Sequence, residues 1–167
     1  MKKFLVMAVM AIMAVAASAQ VYVGGSLGYT HQKLDEGNTD VFTFAPEVGY
    51  NLNSTWAVGG SLNYTWTKDV SNQFYINPYA RYTFFHSELV NLFVDGSVDL
   101  GISAPKEGDS STIWGIGLKP GLSLNLNKKF SLVAHVGFLG YRDLADAGKV
   151  YGINIDNNIT FGFYYNF

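Results

Sequence analysis

After residue 20, apolar and polar positions alternate with a period of two almost throughout. No apolar stripe at i, i+3, i+4, i+7 persists, so the chain is read as strands. Residues 151–167 show this most clearly. Ile153, Ile155, Ile159, Phe161, Phe163, Tyr165 and Phe167 form one set, with Asn157 its exception. Gly152, Asn154, Asp156, Asn158, Thr160, Gly162 and Asn166 form the other, with Tyr164 its exception. Trp56, Val58, Gly60, Leu62, Tyr64 and Trp66 alternate in the same way with Thr55, Ala57, Gly59, Ser61, Asn63 and Thr65. Eight strands follow, near 20–30, 41–51, 55–67, 73–85, 90–102, 111–125, 129–141 and 150–167. At 11 residues or more they are about twice as long as strands of soluble proteins.

The connections alternate too. Short turns at 51–54, 86–88 and 125–128 face longer polar segments at 31–40, 68–72, 103–110 and 142–149. Long strands in even number, with short turns at one end and longer loops at the other, define an eight-stranded antiparallel up-and-down transmembrane barrel. The segment Val23-Gly24-Gly25-Ser26-Leu27-Gly28-Tyr29-Thr30 recurs as Val58-Gly59-Gly60-Ser61-Leu62-Asn63-Tyr64-Thr65, which makes the repeating unit a hairpin.

Composition sharpens this picture. Only 14% of the 167 residues are charged, against roughly 25% in soluble domains. The formal net charge of −2 supplies no basic patch for nucleic acid. The absence of cysteine removes disulfide frameworks, thiolate metal sites and cysteine nucleophiles. No other cofactor or metal site is indicated. At the N-terminus, Lys2 and Lys3 precede an apolar run from Phe4 to Ala17, and Ala17-Ser18-Ala19 supplies a small-x-small cleavage site. The run is shorter than the ~20 residues a spanning helix needs. Residues 1–19 therefore read as a cleaved signal peptide and residues 20–167 as one exported barrel domain.

The choice between a membrane barrel and a soluble one rests on the polar face. A soluble barrel that turned this face outward would need many Lys and Glu there. The face consists instead of Gly, Ser, Thr and Asn with one or two charges per strand, which suits a narrow hydrated interior. The apolar face carries aromatic girdle candidates at its ends: Trp56 and Trp66 ten residues apart, with Phe74 and Phe84 repeating the spacing. Ten residues of strand span ~33 Å, which projects to about 25 Å at a 40–45° tilt, the height of an outer-membrane apolar band.

With these features, residues 20–167 resemble the small eight-stranded outer-membrane barrels of the OmpA/OmpX type, the outer membrane protein beta-barrel domain. The most specific element is Phe161-Gly162-Phe163-Tyr164-Tyr165-Asn166-Phe167, which looks like the terminal aromatic signal of that family. The resemblance implies that Phe163, Tyr165 and Phe167 are read by the barrel-assembly machinery. It implies a bacterial outer-membrane location, contact with membrane lipid and lipopolysaccharide, and a monomeric state. The chain ends at its last strand, so a periplasmic cell-wall-binding domain is not carried over.

Parity places Glu47, Arg81, Asp95, Asp99, Lys119 and Asp156 inside. Side chains fill an eight-stranded barrel, so these charges are read as a polar network closing the lumen. Four acids against two cations would make any leak favour cations, and a narrow cation-leaning channel is the alternative function. Acyl transfer to lipid A would need a histidine near a serine and an acid. His31 and His86 fall in connections, and His135 lies on a strand whose two halves give opposite parities, which a bulge would reconcile. No G-x-S-x-G nucleophile motif is present, so the chain is expected not to be an enzyme. Asp35, Glu36 and Asp40 are read as solvated loop charge. The expected role is structural or surface-interacting.

Overall fold

The computed structural model describes residues 20–34, 37–68, 70–106, 109–143 and 148–167, with the side chains at 29–34, 37–39, 150 and 153–160 outside that description. The strands are β1 (Val21–Leu34), β2 (Gly37–Asn51), β3 (Trp56–Thr67), β4 (Ser71–His86), β5 (Val90–Pro105), β6 (Ser111–Asn125), β7 (Phe130–Asp143) and β8 (Lys149–Asn166). Each pairs antiparallel with its neighbour in sequence, and β8 returns to β1 to close the cylinder. Closure follows from the medium. In hydrocarbon no water satisfies the N–H and C=O groups of a free edge, so every strand needs two partners.

Alternation decides what each face meets. On β3 the side chains of Trp56, Val58, Leu62, Tyr64 and Trp66 are exposed, while Ala57, Gly59, Ser61, Asn63 and Thr65 face inward at lower exposure. On β5 the buried set is Phe93, Asp95, Ser97 and Asp99. The exterior of the cylinder is apolar and its middle is polar, the reverse of a soluble protein.

The strands run past the segments read as loops. β1 continues to Leu34 and β2 begins at Gly37, with those two residues paired, and Asp143 pairs with Lys149 across β7 and β8. Above the apolar band both faces of a strand meet water. Alternation vanishes there while the backbone ladder still forms, so a hydropathy pattern ends before the strand does. The strands of 14–18 residues on this end exceed the ~9–11 that a tilted span requires.

At the other end the turns are tight and built alike. In both Asn51-Leu52-Asn53 and Asn125-Leu126-Asn127 the last side chain accepts two backbone N–H bonds. Asn53 Oδ1 takes those of Thr55 and Trp56 at 2.8 and 2.9 Å, and Asn127 Oδ1 those of Lys129 and Phe130 at 2.8 and 3.0 Å. This is the local bonding for which Asn is favoured in turns. The third turn uses Ser87, whose Oγ accepts from Val90 N–H at 2.9 Å. His86, read as a turn residue, is the last residue of β4, with Nδ1 3.3 Å from Asn91 Oδ1.

Two irregularities re-aim side chains. Register shifts between Val136 and Phe138, where Gly137 has φ 75°, a left-handed conformation that glycine adopts without strain. Before this bulge Ser131, Val133 and His135 point inward, and after it Phe138, Gly140 and Arg142 do. Both parities of this strand therefore hold, one on each side of the bulge. A second shift between Thr83 and Phe85 leaves Phe84 and Phe85 both exposed.

Candidate functional site

The lumen narrows to a knot of aromatic and charged side chains. Its centre is Arg81 on β4. The guanidinium grips Asp95 on β5 in a two-point bond, Nε to Oδ1 at 2.7 Å and a terminal nitrogen to Oδ2 at 2.8 Å. That terminal nitrogen also donates to the Tyr164 hydroxyl at 3.2 Å and lies 3.5 Å from Glu47 Oε1. Four rings surround the cation, with Phe93 closest at 3.9 Å from its centroid, then Tyr79, Tyr164 and Tyr22 at 5.2–5.6 Å. Cation–π contacts contribute about 0.5–1 kcal/mol at exposed sites and more when desolvated, as here.

Glu47 gathers the remaining hydroxyls. Tyr164 donates to its Oε1 at 2.6 Å and Tyr79 donates to the same oxygen. The Tyr22 and Tyr79 hydroxyls are 2.6 Å apart, so Tyr22 completes the chain as donor to Tyr79. The Tyr22 and Tyr164 rings stack with centroids 5.0 Å apart. His135 lies beside this knot, its Nε2 2.9 Å from Asp95 Oδ2 and its ring edge-on to Phe93. Every charge in the knot has a partner, which is the condition for holding ions away from water.

Each plugging ring occupies space left by a glycine on the neighbouring strand. Tyr22 pairs with Gly49, Tyr79 with Gly59, Tyr164 with Gly24 and Phe93 with Gly121. A Cβ at Gly59 would come within 2.5 Å of the Tyr79 hydroxyl, and one at Gly121 within 2.5 Å of the Phe93 ring. Small residues on one strand therefore make room for large ones on the next, and these inward glycines serve packing.

A second cluster lies on the loop side of the knot. Asp99 on β5 accepts from Lys119 Nζ at 3.1 Å through Oδ1 and from Arg142 Nε at 2.8 Å through Oδ2. Asn77 donates to Asp99 and accepts from Lys119 at 3.1 Å. The knot separates two cavities. One of about 770 Å³ opens toward the loops past Asn77, Asp99, Lys119 and Arg142, and one of about 830 Å³ opens toward the turns past Thr83, His86 and Asn91.

Of the six interior charges expected from parity, Glu47, Arg81 and Asp95 meet in the knot, and Asp99 and Lys119 meet in the second cluster. The side chain of Asp156 lies outside the described residues, as do residues 1–19, Asp35, Glu36 and the side chain of His31. Asp40 lies 3.8 Å from Lys68. The expected excess of interior acid changes, because Arg142, read as a loop residue, is an interior cation. The described lumen sets Glu47, Asp95 and Asp99 against Arg81, Lys119 and Arg142.

The tyrosines of the knot were missed. Their signal was an aromatic ring on the otherwise polar face, as at Tyr164, the exception in the last strand's alternation.

Outside, Trp56, Trp66, Phe74 and Phe84 are all exposed on the apolar face. The terminal aromatics cluster on the same face: Phe130 contacts Phe163 and Tyr165 at 5.2 Å between centroids, and Tyr165 contacts Phe167 at 4.9 Å. Phe167 N–H donates to Val21 carbonyl at 3.0 Å, tying the chain's end to its first strand.

A closed eight-stranded barrel with an apolar exterior and a polar, plugged middle defines an outer-membrane β-barrel. The family described as outer membrane protein beta-barrel domain matches residues 4–167, and the chain belongs to it. Its fold is similar to that of Neisserial surface protein A, at 17% identity and a TM-score of 0.62, covering 90% of this chain and 98% of that one. It is likewise similar to the N-terminal β-barrel domain of Pseudomonas aeruginosa OprF, at 14% identity and a TM-score of 0.60, with the same two coverages. No curated protein sequence matches the chain.

Proposed function

We propose that this chain is a non-enzymatic, non-conducting barrel of the bacterial outer membrane with a structural and surface-contact role. On this reading it is exported through a signal peptide cleaved after Ala19 and inserted as a monomer. The observation that carries it is the knot of Arg81, Asp95, Glu47, Tyr22, Tyr79 and Tyr164 across the lumen. An ion crossing it would have to part the two-point Arg81–Asp95 bond and displace stacked rings. His135 belongs to the same packing through Asp95, which favours a structural histidine over a general base. The lipid-facing girdle and the loop-side strand extensions supply the contacts with membrane lipid and lipopolysaccharide.

Planar-bilayer recording of the purified barrel tests the reading, with a flat baseline expected and discrete conductance steps overturning it. An enzymatic role toward lipid A predicts an altered acyl pattern in the mass spectrum of lipid A from expressing cells, and an unchanged pattern is expected. For biogenesis, the cell-derived protein should begin at Gln20 on N-terminal sequencing. Deleting Phe167 should lower the fraction of heat-modifiable, folded barrel in the outer membrane; an unchanged fraction would remove that residue from the assembly signal.

A further inference from the structure

The cavity on the turn side of the knot is a blind cup, floored by the knot residues Tyr22, Arg81, Phe93 and Tyr164. Its wall is built from amides and hydroxyls that arrive from every side of the cylinder. Asn51 and Asn53 come from the turn between β2 and β3, and Asn125 and Asn127 from the turn between β6 and β7. In a ring of eight strands in sequence order these two turns are four strands apart, so the repeated Asn-Leu-Asn faces itself across the mouth. Asn91 on β5 fills one gap between them, and Gln20 and Asn166 at the two ends of the barrel fill the other. Thr83 and Ser123 add hydroxyls deeper in.

Much of this polar capacity is unused. Asn53 and Asn127 commit their Oδ1 atoms to the turns, which leaves both NH2 groups without a partner among the described residues. Asn166 bonds through Nδ2 alone, and the side chains of Asn51, Thr83 and Ser123 hold no hydrogen bond among the described residues. The charges of the cup cancel. Arg81 is held by Asp95 and Glu47, Glu88 and Lys128 stand on the rim with opposite signs, and His86 Nδ1 lies 3.3 Å from Asn91 Oδ1. An ion finds no surplus of opposite sign there, and a peptide strand finds no open ladder to join, because the cylinder is closed. An amide offers a donor and an acceptor from one planar group, and a hydroxyl does both from one atom. Such a lining, without net charge, is matched by a ligand whose groups donate and accept at every position, as sugar hydroxyls do. The volume of about 830 Å³ lies within the range of small-ligand sites. The short turns of outer-membrane barrels face the periplasm, so the ligand enters from that side.

We propose that the turn-side cup binds the end of a neutral oligosaccharide, its hydroxyls bridging the two Asn-Leu-Asn turns and reaching Thr83 and Ser123 below. This goes beyond the structural role proposed above and takes from it only the start at Gln20, which N-terminal sequencing checks separately. A plugged, non-conducting barrel is compatible with the cup filled or empty, so bilayer recording and sugar binding fail independently.

The test is a ligand-observed NMR titration of the whole barrel in lipid nanodiscs, because glycoside detergents would themselves compete. The probes are cellotetraose and chitotetraose, which share one linkage and differ by an acetamido group in place of a hydroxyl on each ring. Their relative affinity tells a plain glucan from an N-acetylated one. Saturable binding of one saccharide per barrel is expected for at least one of them. N51L/S123L replaces two groups on opposite walls that hold no internal hydrogen bond, and should weaken binding at least about tenfold; heat modifiability establishes that the variant is folded. A nitroxide on L126C, at the mouth, should broaden the bound sugar's signals more than one on I102C, toward the loop end of β5. No saturable binding of either probe, or equal binding by glycerol or by folded N51L/S123L, would overturn the saccharide site. Equal or stronger broadening from I102C would take the sugar out of the cup and overturn its placement.

Discussion

The two ion clusters of the lumen share one strand and follow opposite rules. Asp95 and Asp99 are four residues apart on β5, both inward. Asp95 meets a single Arg81 whose side chain is 8% exposed, inside a cage of rings. Asp99 meets two cations that are 19% and 31% exposed, on the floor of an open cavity. Where water is excluded, Asp95 and Glu47 share one Arg81, and what that cation leaves over is met by His135 and by tyrosine hydroxyls. Where water enters, one acid is shared by two cations and the surplus charge is solvated. Depth in the cylinder, more than residue type, decides whether packed side chains or water meet the charge that pairing leaves over.

This comparison is sharpest under substitution, read as the shift of a urea unfolding curve for the barrel in lipid vesicles. Arg81→Ala should be the most damaging change, destabilising by about 3–5 kcal/mol because it leaves Asp95 and Glu47 buried without their cation; an unmoved midpoint would remove Arg81 from the core of the knot. Leu62→Arg, on the lipid face and belonging to neither cluster, should cost about 2–4 kcal/mol near the membrane midplane, and a negligible cost would contradict its outward placement. Tyr164→Phe removes one donor to Glu47 and one acceptor from Arg81, for an expected loss of roughly 1–2 kcal/mol. Lys119→Gln should cost less than about 1 kcal/mol, because its charge is shared and wetted. A loss for Lys119→Gln equal to that for Arg81→Ala would erase the distinction between the clusters.

The faces of the strands were legible in the sequence because lipid and lumen impose opposite polarities on alternate residues. Trp56, Leu62 and Trp66 could be assigned outward from period two alone. Arg142 could not be, because it lies near the end of β7 where the band of hydrocarbon has ended and both faces tolerate charge. The two parities around His135 were visible, whereas the inward direction of that histidine depends on Gly137 and its left-handed backbone. The knot was half legible. Its charges stand out on a polar face, but the fit of Tyr22 to Gly49 or Tyr79 to Gly59 depends on strand register. Register is a relation between distant segments, and one segment's composition does not encode it.

The stacked pair Tyr22 and Tyr164 has a consequence for the order of assembly. One ring arrives on the first strand and the other on the last, and they meet only where β1 and β8 join over five residue pairs. Until those termini zip together, Glu47 lacks the hydroxyl of Tyr164 and Arg81 lacks one wall of its cage. An unsealed intermediate therefore keeps a hydrated, incompletely matched centre, and drying of the interior coincides with the final pairing step. Sealing the cylinder and stoppering it are one event.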